Sequence, residues 1–446
     1  MLGTGLGHYI PLIAYLGFWV MIIASLMGKP LQGLYYAMPF IPYRSMRDKF
    51  VLAGYPLAAN VLTLLVIAII IGALLHGKRL PKSKLYLIWL IFAVYLYFSL
   101  WLGSAMGTAP LPLWLNDPNF VTWKDYLMLP LFFVAAGLVI EDRKTIRRIV
   151  LLVGVSLALV DRASILDTLS RSWTSFDESK RDAGPLVYGS NQLAAFLAQF
   201  GMFFWGFGKI MKRKKVKLLC YALVAATIFA TMYTFSRASY LALLFSIAVL
   251  AILKDRKLLL LLPLFLLTWK TIVPVAVTER VEMTKNANGQ LDQSAEDRVL
   301  LWENAKKSFY RSPLLGNGFA TFEFGDHVGD LKDTHNWYVK VLVETGIVGG
   351  VIALVMLFQM FSSSFRLYRS GNDPLYTALG LGCFLAMCSC VVANCFGDRW
   401  TYLEINGLLW VLMAAVARAQ QLALAEPALA AQPVEEPLPL AVMEYR

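Results

Sequence analysis

Apolar runs close to twenty residues long recur along the whole sequence, and this feature constrains the fold more than any other. A helix rises about 1.5 Å per residue, so about twenty residues cross a hydrocarbon layer about 30 Å thick. Twelve such spans are expected, at 9–27, 51–74, 84–103, 125–140, 146–163, 191–210, 218–234, 238–253, 257–277, 337–361, 375–397 and 402–418. With 58% hydrophobic and 16% charged residues over 446 positions, the chain is too apolar for a water-soluble protein of two or three domains. Lipid offers no partners to backbone polar groups, so these spans predict an all-α integral membrane protein. The first span has no Lys or Arg ahead of it and reads as a retained anchor, not a cleaved signal peptide.

Short loops that keep Lys and Arg stay on the cytoplasmic side. Lys78, Arg79, Lys82 and Lys84 follow the second span, Arg143, Lys144, Arg147 and Arg148 the fourth, and the run MKRKKVK (211–217) the sixth. Lys254, Arg256 and Lys257, then Arg366 and Arg369, continue the alternation. All fall on one side if both termini are cytoplasmic, and the net charge of +12 is then an orientation signal that calls for no nucleic-acid partner. Residues 28–50, with Lys29, Arg44, Arg47 and Lys49, run against the scheme. The five cysteines, Cys220, Cys383, Cys388, Cys390 and Cys395, all lie in apolar spans, so they imply packing and no disulfide framework.

The cytoplasmic connections are too short to fold a nucleotide-binding domain. The sequence also lacks a GxxxxGK[ST] loop, an HExxH pair and an Asp-x-Asp that would hold a divalent ion, so neither a metal nor another cofactor is expected. Residues 1–420 are expected to form one polytopic domain with a single long outward loop, 278–336, between spans nine and ten. In that loop AEDRVLLWENAKKSFY (295–310) sets Leu300, Leu301, Ala305 and Phe309 at helical spacing, an amphipathic pattern suited to the membrane surface. Residues 421–446, rich in Ala, Pro and Glu, read as a disordered cytoplasmic tail.

His335 stands where the long loop enters span ten, beside Trp337 and Tyr338, at an interfacial belt position. A belt histidine can simply anchor a helix end, yet one that stays partly wet titrates near neutrality and suits a general base acting on a sugar hydroxyl. Arg237 in FSRASY, Arg298 on the amphipathic segment and Arg399 in GDRW fall at the same outward level. Each arginine alone could be a solvated helix end. Together they resemble a receptor for a pyrophosphate, which guanidinium forks bind bidentately. Glu344 lies nine residues after His335, on the opposite helix face, and is excluded as its acid partner; Lys340 or a neighbouring helix is the expected contact. Gly346 and Gly350 have GxxxG spacing and read as close helix packing.

Two adjacent residues, His335 and Asn336, are followed after nine residues by Gly346 and Gly349. This pattern resembles the motif of the O-antigen ligases and the related O-antigen polymerases of bacterial envelopes. FSRASY, and RVLLWENA and SPLLGNGFATF upstream of the histidine, resemble the same family in the same order, so the likeness covers 191–418. The resemblance implies a GT-C-like membrane glycosyltransferase in the bacterial inner membrane, with its active site facing the periplasm. Its implied donor is an undecaprenyl-pyrophosphate-linked glycan, used without a metal ion. Its implied acceptor is a lipid A core oligosaccharide, another lipid-linked repeat in a polymerase, or Ser or Thr in a protein ligase. His335 would be the base and Arg237 the donor pyrophosphate ligand, with Arg298, on a looser match, assisting. A transporter of a lipid-linked solute is the reading from another class, but such proteins place polar sites near the midplane of repeated halves, and no internal repeat is evident.

Overall fold

The computed structural model describes residues 9–430 apart from 115, 172–173, 182–183, 284–292, 325–332 and 372. The described residues form a helical bundle with no strand. Its helices are α1 (Ile10–Leu26), α2 (Pro30–Ala37), α3 (Arg44–Leu52), α4 (Val61–Leu75), α5 (Lys84–Ala105), α6 (Pro118–Val139), α7 (Arg143–Ser170), α8 (Ser190–Ile210), α9 (Lys214–Met232), α10 (Arg237–Leu253), α11 (Leu258–Ile272), α12 (Val275–Glu282), α13 (Gln293–Arg311), α14 (Trp337–Ser370), α15 (Pro374–Asn394) and α16 (Leu403–Ala430). Among the described residues, nine helices are long and apolar enough to cross a membrane, ten if a bent pair counts as one. That pair, α11 with α12, and the shorter α1 and α10 occupy the remaining expected spans.

Local chemistry sets the starts. Ser83 caps α5 by accepting from the Leu85 amide at 3.3 Å, and Asp142 caps α7 by accepting from Thr145 at 2.7 Å. Asp373 accepts from the Leu375 amide at 2.6 Å, with Pro374 at the first turn of α15 and Gly371 at φ +69° closing α14. The ninth expected span, 257–277, is broken: α11 stops at Ile272, Pro274 follows with no amide to donate, and α12 leaves at 108°. The interior helices are α8, α15 and α16, which bury 83%, 78% and 67% of their most apolar stretch, whereas α11 has no fully buried residue.

Ion pairs gather the short loops at one end. Arg143 meets Asp373 at 2.7 Å, Lys78 meets Glu141 at 2.8 Å, and Lys209 pairs with Asp255. Arg418 donates to the carbonyls of Arg79 at 3.0 Å and Gly137 at 3.1 Å. Every basic run that set the orientation lies at this end.

The N-terminal segment departs from expectation. Tyr15 donates to the Pro56 carbonyl at 2.6 Å near the start of α4, while Gly28 lies against the imidazole of His76 at its end. Helices α1 and α4 therefore run parallel, and α1 starts at the end opposite the basic loops, where a cytoplasmic N-terminus was expected. The return passage is α2, whose Tyr36 donates to the Ala14 carbonyl at 2.6 Å. The discordant 28–50 segment is thereby divided: Lys29 stays at the basic end, and Arg47 crosses to pair with Glu404 at the other.

Two further expectations are revised. The amphipathic α13 turns Leu301 and Ala305 into a small core with Phe322 and Val343, so much of its apolar stripe rests on protein, while Leu300 is left exposed. Helix α16 continues to Ala430, into the segment expected to be tail, and 431–446 lie outside the described residues.

Candidate functional site

The end away from the basic loops carries the site. Thr334, His335 and Asn336 make a sharp turn into α14: His335 has φ +50°, a left-handed conformation unusual for a side chain of its size. The turn is pinned on both sides. Thr334 accepts through its carbonyl from Trp302 Nε1 of α13 at 2.9 Å, and Asn336 Oδ1 caps α14 by accepting from the amides of Tyr338 at 3.0 Å and Val339 at 3.2 Å. The asparagine of the sequence motif is thus a helix cap that sets where the histidine projects.

The glycines of the motif hold a break in α14. Gly346 has φ +65° and ψ −168°, so no helix-to-helix GxxxG contact runs through it. Residues 313–318 lie in the break and satisfy its backbone. The Val343 and Glu344 carbonyls accept from the Asn317 and Gly318 amides, each at 2.9 Å, and the Ile347 amide donates to the Pro313 carbonyl at 2.9 Å. From α5, Ser99 Oγ donates to the Glu344 carbonyl at 3.2 Å and Tyr95 to that of Thr345 at 2.7 Å. Gly349 sits where a Cβ would come within 3.0 Å of the Tyr95 ring. The buried Glu344 carboxyl accepts from the Phe322 amide at 3.3 Å, and the expected neighbour Lys340 lines the same small pocket.

Lys340 Nζ lies 3.1 Å from Asp398 Oδ2. Asp398, almost fully buried, also accepts from the Trp400 and Thr401 amides at 3.1 Å, tying down the GDRW loop. Arg399 is held within that loop: its amide donates to Asn394 Oδ1 at 3.0 Å, and Gly397 leaves room for its guanidinium, since a Cβ there would fall 2.5 Å from Nη2. With the Gln192 amide turned to present its oxygen, that atom accepts from Arg399 Nη1 at 3.1 Å. Burial pulls the Arg399 guanidinium below its ordinary value, opposed by Asp333, Tyr402 and Asp398.

His335 lies within the field of these groups. Its Nδ1 is 3.8 Å from Asp333 Oδ2, and both side chains are about one-third exposed, at 34% and 33%. Burial pulls the imidazole below its ordinary value, and Arg298 and Arg399 add to the effect; Asp333 and Asp297 oppose it. The histidine is therefore neutral at neutral pH, the form that accepts a proton.

Arg237 and Arg298 line a cavity of about 1000 Å³ between α10 and the α11 to α12 bend. Two arginines that the sequence reading did not single out join them there, Arg181 and Arg280. Arg181 donates to Glu178 Oε1 at 2.7 Å and to Asn191 Oδ1 at 2.9 Å, and Arg280 stacks on Phe176 at 4.8 Å. Away from the cations the walls are apolar, from Leu241 and Leu244 of α10 and Leu261, Phe265 and Trp269 of α11. Arg399 does not line this cavity; it acts on His335 from the GDRW loop. A signal for Arg181 and Arg280 was available: basic residues in outward loops run against the rule that keeps Lys and Arg cytoplasmic.

Residues 222–354 match the family model described as O-Antigen ligase. That segment, under a third of the chain, carries its likeness to the O-antigen ligase superfamily. Comparison with curated proteins gives no match. The O-antigen ligase segment holds Arg237, Arg280, Arg298 and the broken α14 with His335, whereas Arg181 and Arg399 reach the same end of the bundle from outside it.

Proposed function

We propose that the chain transfers a glycan from an undecaprenyl-pyrophosphate-linked donor to a lipid A core oligosaccharide, at the periplasmic face of the bacterial inner membrane. One observation carries the reading: the cavity joins four arginines at one end to a long apolar wall between two membrane helices. A pyrophosphate on a polyprenyl chain needs both, cations for the head and lipid-like walls for the tail. Arg237 and Arg298 are assigned to the pyrophosphate together with Arg181 and Arg280, and Arg399 holds the base side of the site.

In this reading the neutral His335 takes the proton of an acceptor hydroxyl as that oxygen attacks the anomeric carbon. The bond from anomeric carbon to phosphate oxygen breaks, and the pyrophosphate leaves with the electron pair, its charge stabilised by the guanidinium groups. No nucleotide hydrolysis drives the step, because the energy resides in the donor's glycosyl pyrophosphate bond.

The test is a reconstituted assay with purified lipid-linked glycan and separate acceptors. Transfer to lipid A core is expected. Products extended by repeat units on the lipid-linked glycan instead would make the chain a polymerase, and glycan on Ser or Thr would make it a protein ligase. Movement of the donor across a bilayer without transfer would replace the enzyme reading with transport.

A further inference from the structure

We propose that Asp333 is a positioning residue for His335: its carboxylate holds the imidazole through Nδ1 and leaves Nε2 as the atom that receives the acceptor proton. The proposal rests on His335 being the base, and it adds the group that fixes how the base is presented.

Three observations carry it. The Nδ1 atom of His335 is the ring nitrogen that faces Asp333, at 3.8 Å from Oδ2, an ion-pair separation longer than a hydrogen bond, and His335 adopts φ +50° in the turn that carries both residues. The other carboxylate oxygen, Asp333 Oδ1, is buried with no hydrogen-bond partner among the described residues. A buried acceptor left unsatisfied is costly and is retained where something else uses it. Finally, Asp333 acts on three groups at once: on His335, on Arg399, where it is the largest favourable charge, and on Lys340.

The chemistry follows from this placement. When Nε2 takes the acceptor proton, the imidazole becomes a cation among arginines: Arg298 of α13 and Arg399 of the GDRW loop both disfavour it, while Asp297 of α13 lies on the favourable side. Asp398 and Tyr402 complete the charged and titratable surroundings of Arg399. A carboxylate facing Nδ1 offsets the repulsion and favours the tautomer with the proton on Nδ1, which leaves the lone pair on Nε2. The proton then passes from Nε2 to the departing pyrophosphate or to water, and the neutral histidine is restored.

The experiment follows His335 by a readout that does not depend on transfer. Neutral imidazole reacts with diethyl pyrocarbonate, so the pH dependence of His335 acylation in the intact protein, resolved by peptide mass spectrometry, reports its titration. In Asp333→Asn the midpoint should fall by about one pH unit, because a neighbouring anion is lost. Transfer kcat should fall by between about 10- and 1,000-fold with the donor KM unchanged, and Asp333→Glu should restore much of both. An unchanged midpoint in Asp333→Asn overturns the proposal whatever happens to transfer. A shifted midpoint with kcat within about twofold of the unsubstituted protein also overturns it, since the carboxylate would then be a bystander. If His335→Ala keeps transfer, the base assignment fails instead, and the acylation midpoint still decides whether Asp333 and His335 form a pair.

Discussion

The residue that most needs its surroundings is His335. Alone on a helix end it would be an anchor; here a left-handed turn, the Asn336 cap and the Trp302 tether set its direction, and burial with two arginines keeps it neutral. The pH dependence has a definite sign. A base whose value is lowered from the ordinary 6.5 is protonated and inactive below its shifted value, and neutral and active above it. Transfer is therefore expected to rise through an acid limb with a midpoint below 6.5 and to be level at neutral pH; an acid limb above pH 7 would contradict the assignment. His335→Ala should cut transfer by about 100-fold or more while binding of lipid-linked donor persists. Arg237→Ala should act the other way, raising the donor KM more than it lowers kcat, as read in initial rates at varied donor.

At the scale of elements, the broken helix α14 positions the histidine, and the 313–318 loop makes the break tolerable. Gly346 and Gly316 approach so closely that a Cβ on either would fall 2.3 Å from backbone oxygen of the other segment, at φ +65° and +79°. Neither strain nor overlap can be relieved by moving a flexible side chain. Gly346→Ala and Gly316→Ala should each cost about 1–3 kcal/mol or more, seen as a lower thermal midpoint of the purified protein and lower yield in the membrane. Gly350→Ala should be mild, because its Cβ would meet the end of the Leu342 side chain, which can turn away. Equal tolerance at all three positions would return these glycines to ordinary helix packing. The pair of Lys340 with the buried Asp398 is the other element-level constraint, and Lys340→Met should destabilise by about 3–5 kcal/mol by stranding the carboxylate.

For the whole molecule, the two ends of the bundle have separate roles. One gathers the short basic loops through paired charges, and the other gathers the arginines, His335 and the mouth of the cavity. The parallel course of α1 and α4 sets residues near 52–57 at the site end, with Lys78 at the other. Single cysteines at Leu52, which is 86% exposed, and at Lys78 should therefore label from opposite faces of a sealed vesicle, and labelling from the same face would overturn the parallel arrangement. Helix α11, with no buried residue and a bend at Pro274, forms one wall of the cavity, so the donor tail and surrounding lipid would meet along it.

Helix positions and the membrane class were legible in the sequence, because a span must carry its own hydrophobicity and hydrogen bonds, and both are local properties. That the basic loops share one end of the bundle was legible for a related reason: each loop resists translocation by its own charge. His335, Arg237 and Arg298 could be picked out by the family motif and their shared level. What needed the tertiary structure was everything fixed by a partner distant in sequence. Gly346 reads as helix packing until residues 313–318 are seen in the break, and Arg399 reads as equivalent to Arg237 until the cavity is seen to lie on one side of it. Arg181, Arg280 and the return of α2 beside α1 belong to the same class. A span depends on its own residues, but a site depends on which helix ends are packed together, and that is decided by contacts between segments separated in the sequence.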